Sequence, residues 1–298
     1  MDHLALHVYR WGDGPQRRLL VECLGPAARE LAADGLLRRF WFTPFDTRGP
    51  HVFALFTPPA GKRDELRARV DERLRAYLAA HPSGLVLSPE ELERRHVECR
   101  GKQLSTIDTE PGIAPNDSWC WAGHGEGGYP FALGAGLADP DAFWGHVQSQ
   151  VFESIEHLRG GTGTAAGVRW IAAVDASLAA AGEDPAEYWR YHASTLLMNL
   201  QAGLEAAESR VLAGLEDAVS ARNRAVFERL WEDGGASPHA GPLVRAAVSA
   251  RPAEGRSRWA LLREVNHFTL AQLGQPVMHQ VPLVLYAWHR ALAPAAAA

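Results

Sequence analysis

Within EYWRYHASTLLMNL (187–200), Tyr188, Tyr191, His192, Thr195 and Asn199 recur at helical spacing and form one polar-aromatic stripe, with Ser194 one residue off it. Tyrosine, histidine and serine on one helix face are groups that move protons and donate hydrogen bonds near neutral pH. The same pattern also suits an ordinary helix with a few satisfied buried polar residues, and both readings stay open. Further on, EVNHFTLAQLG (264–274) sets His267, Phe268 and Gln272 on a helix, where a lone histidine is more often structural. His146, Gln150, Glu153 and His157 fall at i, i+4, i+7 and i+11. Glu153 and His157 are a metal-capable pair without identified further ligands, so a solvated helix face is the favoured reading. No GxSxG elbow, HExxH or P-loop is present. The glycines of Gly123–Gly128 miss the dinucleotide register and carry Glu126 where phosphate would lie, which excludes a Rossmann site.

The chain has 298 residues, 47% hydrophobic and 22% charged, enough for a sizeable core and far from a disordered, collagenous or coiled-coil composition. Cys23, Cys99 and Cys120 show no CxxC spacing, so neither a disulfide framework nor a cysteine zinc site is expected. No apolar run reaches about 18 residues and MDHLALHVYRW lacks a signal-peptide pattern, so a cytoplasmic location is expected. The net charge of -5 is unevenly spread. Residues 1–100 hold 16 Lys and Arg against 14 Asp and Glu, residues 101–200 hold 4 against 12, and the remainder 10 against 9. The acidic middle third also carries Trp119, Trp121, Trp144, Trp170 and Trp189. Such a stretch is a poor phosphate-binding surface and suits a neutral or cationic, partly aromatic ligand.

The elements that must position these residues read as follows. LALHVYRW alternates Leu4, Leu6 and Val8 with His7 and Tyr9, the period of a strand. Residues 16–39 carry a helix that Pro26 should kink or divide. RRFWFTPF (38–45) and HVFALFT (51–57) are strands about the turn Asp46-Thr47-Arg48-Gly49-Pro50. An amphipathic helix covers 62–80. The order β-α-β-β-α predicts an α+β fold, with a mixed or antiparallel sheet backed by helices and a mostly helical C-terminal half. Residues 100–138 read as a Gly- and Trp-rich loop region, either a surface loop or a pocket wall. Helices are predicted over about 139–159, 165–181, Pro185 to about Leu230, 257–274 and 279–292, with a frayed C-terminus.

Several of these pieces together resemble the elimination domain of lanthipeptide dehydratases and its relatives in thiopeptide biosynthesis. The resemblance begins at LALHVYRW, is strongest over LAADGLLRRFWFTPFDTRGPHVFALF with its Asp-x-x-Gly-Pro-His turn, and reappears at NHFTLAQLG. It covers some two-thirds of the chain and implies one such domain over 1–298, with a helical insertion at about 139–230. In the elimination domain the strand after the turn alternates arginine with leucine and grips a glutamylated substrate. Here HVFALF has no arginine, and Ala271-Gln272 stands where that domain has Asn-Arg. Only Arg48, in the turn, is basic nearby. This departure resembles the thiopeptide pyridine synthases. Their implied reaction is a formal [4+2] cycloaddition of two dehydroalanines in a thiazole-containing precursor peptide, with loss of water and leader and no cofactor. The implied partners are that modified peptide and other biosynthetic enzymes of the same cluster, not nucleic acid or membrane.

On this resemblance Tyr191, His192 and Ser194 are proton-shuttle candidates, with His267 and Tyr286 behind them. Trp119, Trp121, Trp144 and Trp189 are stacking surfaces for thiazoles, and Phe268, Gln272 and Arg48 pocket residues. The alternatives are a glutamate-eliminating enzyme, a peptide-aminoacyl-tRNA ligase, or a non-catalytic leader-peptide-binding scaffold.

Overall fold

The computed structural model describes residues 3–45, 48–86, 88, 90–91, 113–124, 137–199, 221–232, 237–250, 257–275 and 277–292. The chain divides into two compact units, Met1–Ala132 with Val151–Gly161, and Leu133–Gln150 with Thr162–Ala298. No helix among the described residues is long and apolar enough to cross a membrane.

The first unit is built on a four-stranded sheet in the order β2-β3-β1-β4, from β1 (His3–Tyr9), β2 (Arg39–Phe45), β3 (His51–Thr57) and β4 (Ser118–His124). Every pairing is antiparallel, so of the two sheet types expected the antiparallel one forms. Aromatic and β-branched side chains fit a pleated surface, and β1 and β3 are buried at every position. The polar-apolar alternation of LALHVYRW therefore does not mark a wet face. His7 and Tyr9 occupy the second dry face of the same sheet. β4 lies inside the region read as a loop. SWCWAGH contributes a strand, pairing Leu6 with Trp121 and Val8 with Trp119, although glycines flank it closely.

The helix after β1 is divided as Pro26 requires. α1 (Asp13–Arg18) passes through a π-helical stretch, Leu19–Leu24, into α2 (Gly25–Ala33). Proline cannot donate to the preceding turn, and the wider turn before it takes up the mismatch. α3 (Arg63–Ala80) buries Leu66, Val70, Leu74, Tyr77 and Leu78, the stripe that its spacing predicts. Arg10 ties these elements together. Its guanidinium has no exposed surface and donates to the Pro15 carbonyl (3.2 Å), the His81 carbonyl and Asp117 Oδ1 (3.1 Å). One side chain thereby joins the end of β1, the start of α1, the end of α3 and the approach to β4.

The second unit is helical. α4 (Pro140–Gly160) begins in it and ends in the first unit. Then come α5 (Gly163–Ala180), α6 (Pro185–Asn199), α7 (Ala221–Glu232), α8 (Ala240–Ser249), α9 (Ala260–Gln272) and α10 (Val277–Leu292). The long helix expected from Pro185 to about Leu230 is represented by α6 and α7, and 200–220 lie outside the described residues. No helix is predicted over α8, which contains Gly241-Pro242. Pro242 sits in the first turn, where its missing N–H would have had no helical acceptor. Gly163 opens α5 against the α9 C-terminus, and a Cβ there would fall 2.2 Å from the Leu273 carbonyl.

Replacing Arg10 by methionine removes the cation while Asp117 and two backbone carbonyls stay in place. Breaking a buried pair from one side costs about 3 kcal/mol, so thermal unfolding of Arg10→Met is expected roughly 5–10 °C below that of the native chain.

Candidate active site

In the second unit, three helices meet through one chain of hydrogen bonds. Trp170 on α5 donates its indole N–H to Asn266 Oδ1 on α9 at 2.6 Å, and Asn266 Nδ2 lies 3.0 Å from His192 Nδ1 on α6. An indole N–H only donates, so it fixes which end of the Asn266 amide faces which neighbour. The amide nitrogen then donates to His192 Nδ1, which must carry a lone pair. Tyr188 lies on the same side, its hydroxyl 3.4 Å from His192 Nδ1 and 3.4 Å from the Leu262 carbonyl.

His192 has no exposed surface, and burial, the Arg263 charge and His267 hold its pKa well below the ordinary histidine value. A neutral imidazole whose Nδ1 is bare holds its proton on Nε2. That Nε2 is buried and has no hydrogen-bond partner among the described residues. Leaving such a donor unmatched costs about 1–3 kcal/mol. Burial also raises the pKa of the Tyr188 phenol, and this hydroxyl stays protonated. His267 is half-buried, with Nδ1 2.9 Å from Gln280 Oε1 on α10, and its pKa is lowered to about 4 by desolvation and by Arg263, against the opposing Gln280 bond. Gln280 is itself buried and donates to the His267 and Gln275 carbonyls.

The residues singled out from the sequence fall into separate groups. His192 and His267 both feel the charge of Arg263. Tyr191 and Ser194 are half-buried on α6, where Ser194 Oγ donates to the Tyr191 carbonyl at 2.8 Å. Tyr286 is buried on α10 against the rings of Phe227 and Trp231 and accepts from Arg290 at 3.4 Å, which gives it other neighbours than His192 has. Trp189 has no exposed ring face. It stacks beside His192 and donates to Asp175 Oδ1 at 2.7 Å. Trp144 is buried, edge-on to Phe143. Phe268 is half-buried, edge-on to His267, and Gln272 is buried. Glu153 Oε1 and His157 Nε2 lie 3.7 Å apart, and among the described residues no three metal-ligating side chains come together.

The remaining three lie in the first unit. Trp119 and Trp121 are half-buried on β4 and both donate to Asp71 Oδ1 of α3, at 2.7 and 2.8 Å. Arg48 holds a left-handed backbone, φ 62°, in the turn before β3, with its guanidinium 5.6 Å from the Tyr9 ring centre. Beside it is a pair that the sequence reading passed over. His51 Nδ1 lies 2.9 Å from the Gly49 carbonyl, and His51 Nε2 lies 3.1 Å from His7 Nδ1. Since a carbonyl only accepts, His51 donates from Nδ1 and accepts from His7 on Nε2. Burial, His7 and Arg48 lower the His51 pKa to about 3.

His51 makes stability depend on pH. Its folded pKa of about 3 lies below the ordinary 6.5, so the unfolded chain binds the extra proton between those values. The stabilisation is complete above pH 6.5 and is lost as the pH falls, amounting for His51 alone to about 2 kcal/mol at pH 5. Thermal unfolding followed from pH 7.5 to 5 is expected to show a steep fall in Tm, shallower in His51→Gln.

No protein-family model matches the chain, and neither does any curated protein. Among solved structures, the pyridine synthase TbtD from thiomuracin biosynthesis superposes with a TM-score of 0.67 at 20% identity, over 98% of this chain and 98% of that one. TsrL superposes with a TM-score of 0.53 at 13% identity, over 97% of this chain and 93% of the other. Both units are thus matched in order and length, and the chain has the fold of a thiopeptide pyridine synthase.

Proposed function

We propose that this chain is a pyridine synthase of thiopeptide biosynthesis. Its substrate is a leader-bearing ribosomal peptide whose core carries thiazoles and two dehydroalanines. The amide beside one dehydroalanine shifts a proton from nitrogen to oxygen, giving an iminol and with it a 2-azadiene. This diene adds across the second dehydroalanine, and two carbon–carbon bonds close a six-membered ring. Water leaves with the former carbonyl oxygen. The leader leaves as its amide, and the pyridine that remains closes the macrocycle. Atoms balance without oxidant, reductant or cofactor.

The match to TbtD over nearly the whole of both chains carries this reading. The strand after the turn supports it. HVFALFT is buried at every position and contains no arginine, so it lacks the cations that would hold a glutamylated substrate. The chemistry available in the helical unit also suits uncharged steps. Tyr191 and Ser194 supply hydroxyls at half-buried positions, and His192 and His267 stay neutral at physiological pH. Ring closure demands that two distant parts of one peptide be held at reacting distance, and such positioning contributes several kcal/mol, about 7–11 in favourable cases. The half-buried indoles of Trp119 and Trp121 offer flat surfaces of the kind a thiazole stacks on.

The purified chain incubated with a linear bis-dehydroalanine precursor is expected to yield, by mass spectrometry, a macrocycle and free leader amide in equal amounts. Tyr191→Phe is expected to slow this turnover by about tenfold or more while leaving peptide affinity within twofold. Dehydroalanine formation from a glutamylated peptide, with no macrocycle, would instead identify an elimination enzyme.

A further inference from the structure

We infer that His192 acts as a fixed hydrogen-bond donor, its Nε2–H held for a carbonyl oxygen of the bound peptide, with Asn266 and Trp170 as the positioning residues that set its tautomer. The identity of the ligand rests on the pyridine-synthase reading; the tautomer does not. Trp170 can only donate, and its 2.6 Å contact claims Asn266 Oδ1. Asn266 must then offer N–H to His192 Nδ1, 3.0 Å away. The Tyr188 hydroxyl, whether it donates to Nδ1 or to the Leu262 carbonyl, leaves the same lone pair on Nδ1. The imidazole proton is therefore on Nε2, which no described residue satisfies.

This arrangement excludes the base role that the histidine's position on the stripe first suggests. Nε2 already holds its proton, and Nδ1 is occupied by Asn266. Converting Nε2 into an acceptor would require turning the Asn266 amide over and stranding the Trp170 indole. A neutral, preset donor matches an amide oxygen that gains a proton in forming the iminol and later departs as water. Once the amide N–H proton is removed, negative charge collects on that oxygen before it takes up its own proton, and the donor's bond is strongest at that stage, with no net charge of its own brought into a dry site.

The test uses the full chain labelled with 15N-histidine. The His192 resonances are assigned by their loss in His192→Gln. In the free protein the protonated nitrogen is expected to be Nε2. Addition of a linear precursor with alanine in place of both dehydroalanines, which binds without reacting, is expected to move the Nε2–H proton downfield. Asn266→Asp, which replaces the amide donor by an acceptor, is expected to transfer the proton to Nδ1. In turnover, His192→Gln keeps a donor near the Nε2 position and is expected to stay within about tenfold of the native rate. His192→Phe is expected to lose about 10²–10³-fold, the range seen for removal of a preset donor. A native protein protonated on Nδ1, an Nε2–H signal that saturating peptide leaves unmoved, or equal rates for the Gln and Phe variants would each overturn the assignment. A peptide-induced shift in a protein that forms no macrocycle would overturn the pyridine-synthase reading and leave the donor assignment standing.

Discussion

The bond between the Trp170 indole and the Asn266 amide governs the helical unit. It is short, buried and has one possible polarity, and it therefore decides the polarity of the next bond along. Amide and imidazole groups can each be turned over, and a network made only of them would have several equivalent states. One donor-only group at the end removes that freedom. The helices profit as well. Trp170, Asn266 and His192 come from α5, α9 and α6, so the same two hydrogen bonds that fix a proton also fix where three helices meet. Buried polar chains of this kind stabilise only when each member is satisfied, which is why the unmatched Nε2 at the far end stands out.

The first unit solves a similar problem in reverse. There an acceptor-only group, the Gly49 carbonyl, sits at the end of the chain and compels His51 to donate from Nδ1, which in turn makes His7 donate from its own Nδ1. Backbone geometry serves this arrangement. Gly49 has φ 108° and Arg48 φ 62°, both left-handed, and together they point the carbonyl toward His51. A Cβ at Gly49 would lie 3.3 Å from the Trp11 indole nitrogen, so a side chain there would crowd the indole as well as strain the backbone. Burial keeps His51 and His192 uncharged, and it is the neutral form whose tautomer carries information.

Much of this was legible in the sequence, and the exceptions have physical causes. Strand β1 and helix α3 announce themselves through a period of two or a 3.6-residue stripe, and β2 and β3 as aromatic, apolar runs about a turn. β4 was hidden since only seven residues of it stand among glycines that read as loop. α8 was hidden by a Gly-Pro pair that is harmless only in a first helical turn. For the site, the polar stripe of α6 was visible, but not its meaning. His192 is 74 residues from Asn266, and Asn266 is 96 from Trp170. No local pattern reports a bond at that distance. A weaker signal was present, since asparagine is a poor helix former and Asn266 lies in the middle of an otherwise ordinary helix. His7 and His51 were missed for the same reason. Only the antiparallel register, with Tyr9 opposite His51, brings the two rings together.

The contrast between strand and helix chemistry bears on how one scaffold serves different reactions. An enzyme that expels glutamate must hold a carboxylate, and a sheet strand with alternating arginines does so by placing a cation at every second residue on one face. In HVFALFT those positions are apolar and the strand is dry throughout. Burying arginines there without a bound anion would cost several kcal/mol each, so a strand that grips no anion has no reason to carry them. A cycloaddition has no charge to grip. It needs alignment of two neutral partners and a few protons delivered to defined atoms. Neutral histidines with preset tautomers, phenols held protonated and indoles with satisfied N–H groups meet that need, and all three are what burial favours at no electrostatic penalty. On the proposed reading, the apolar strand and the neutral helical network both follow from a substrate without that charge.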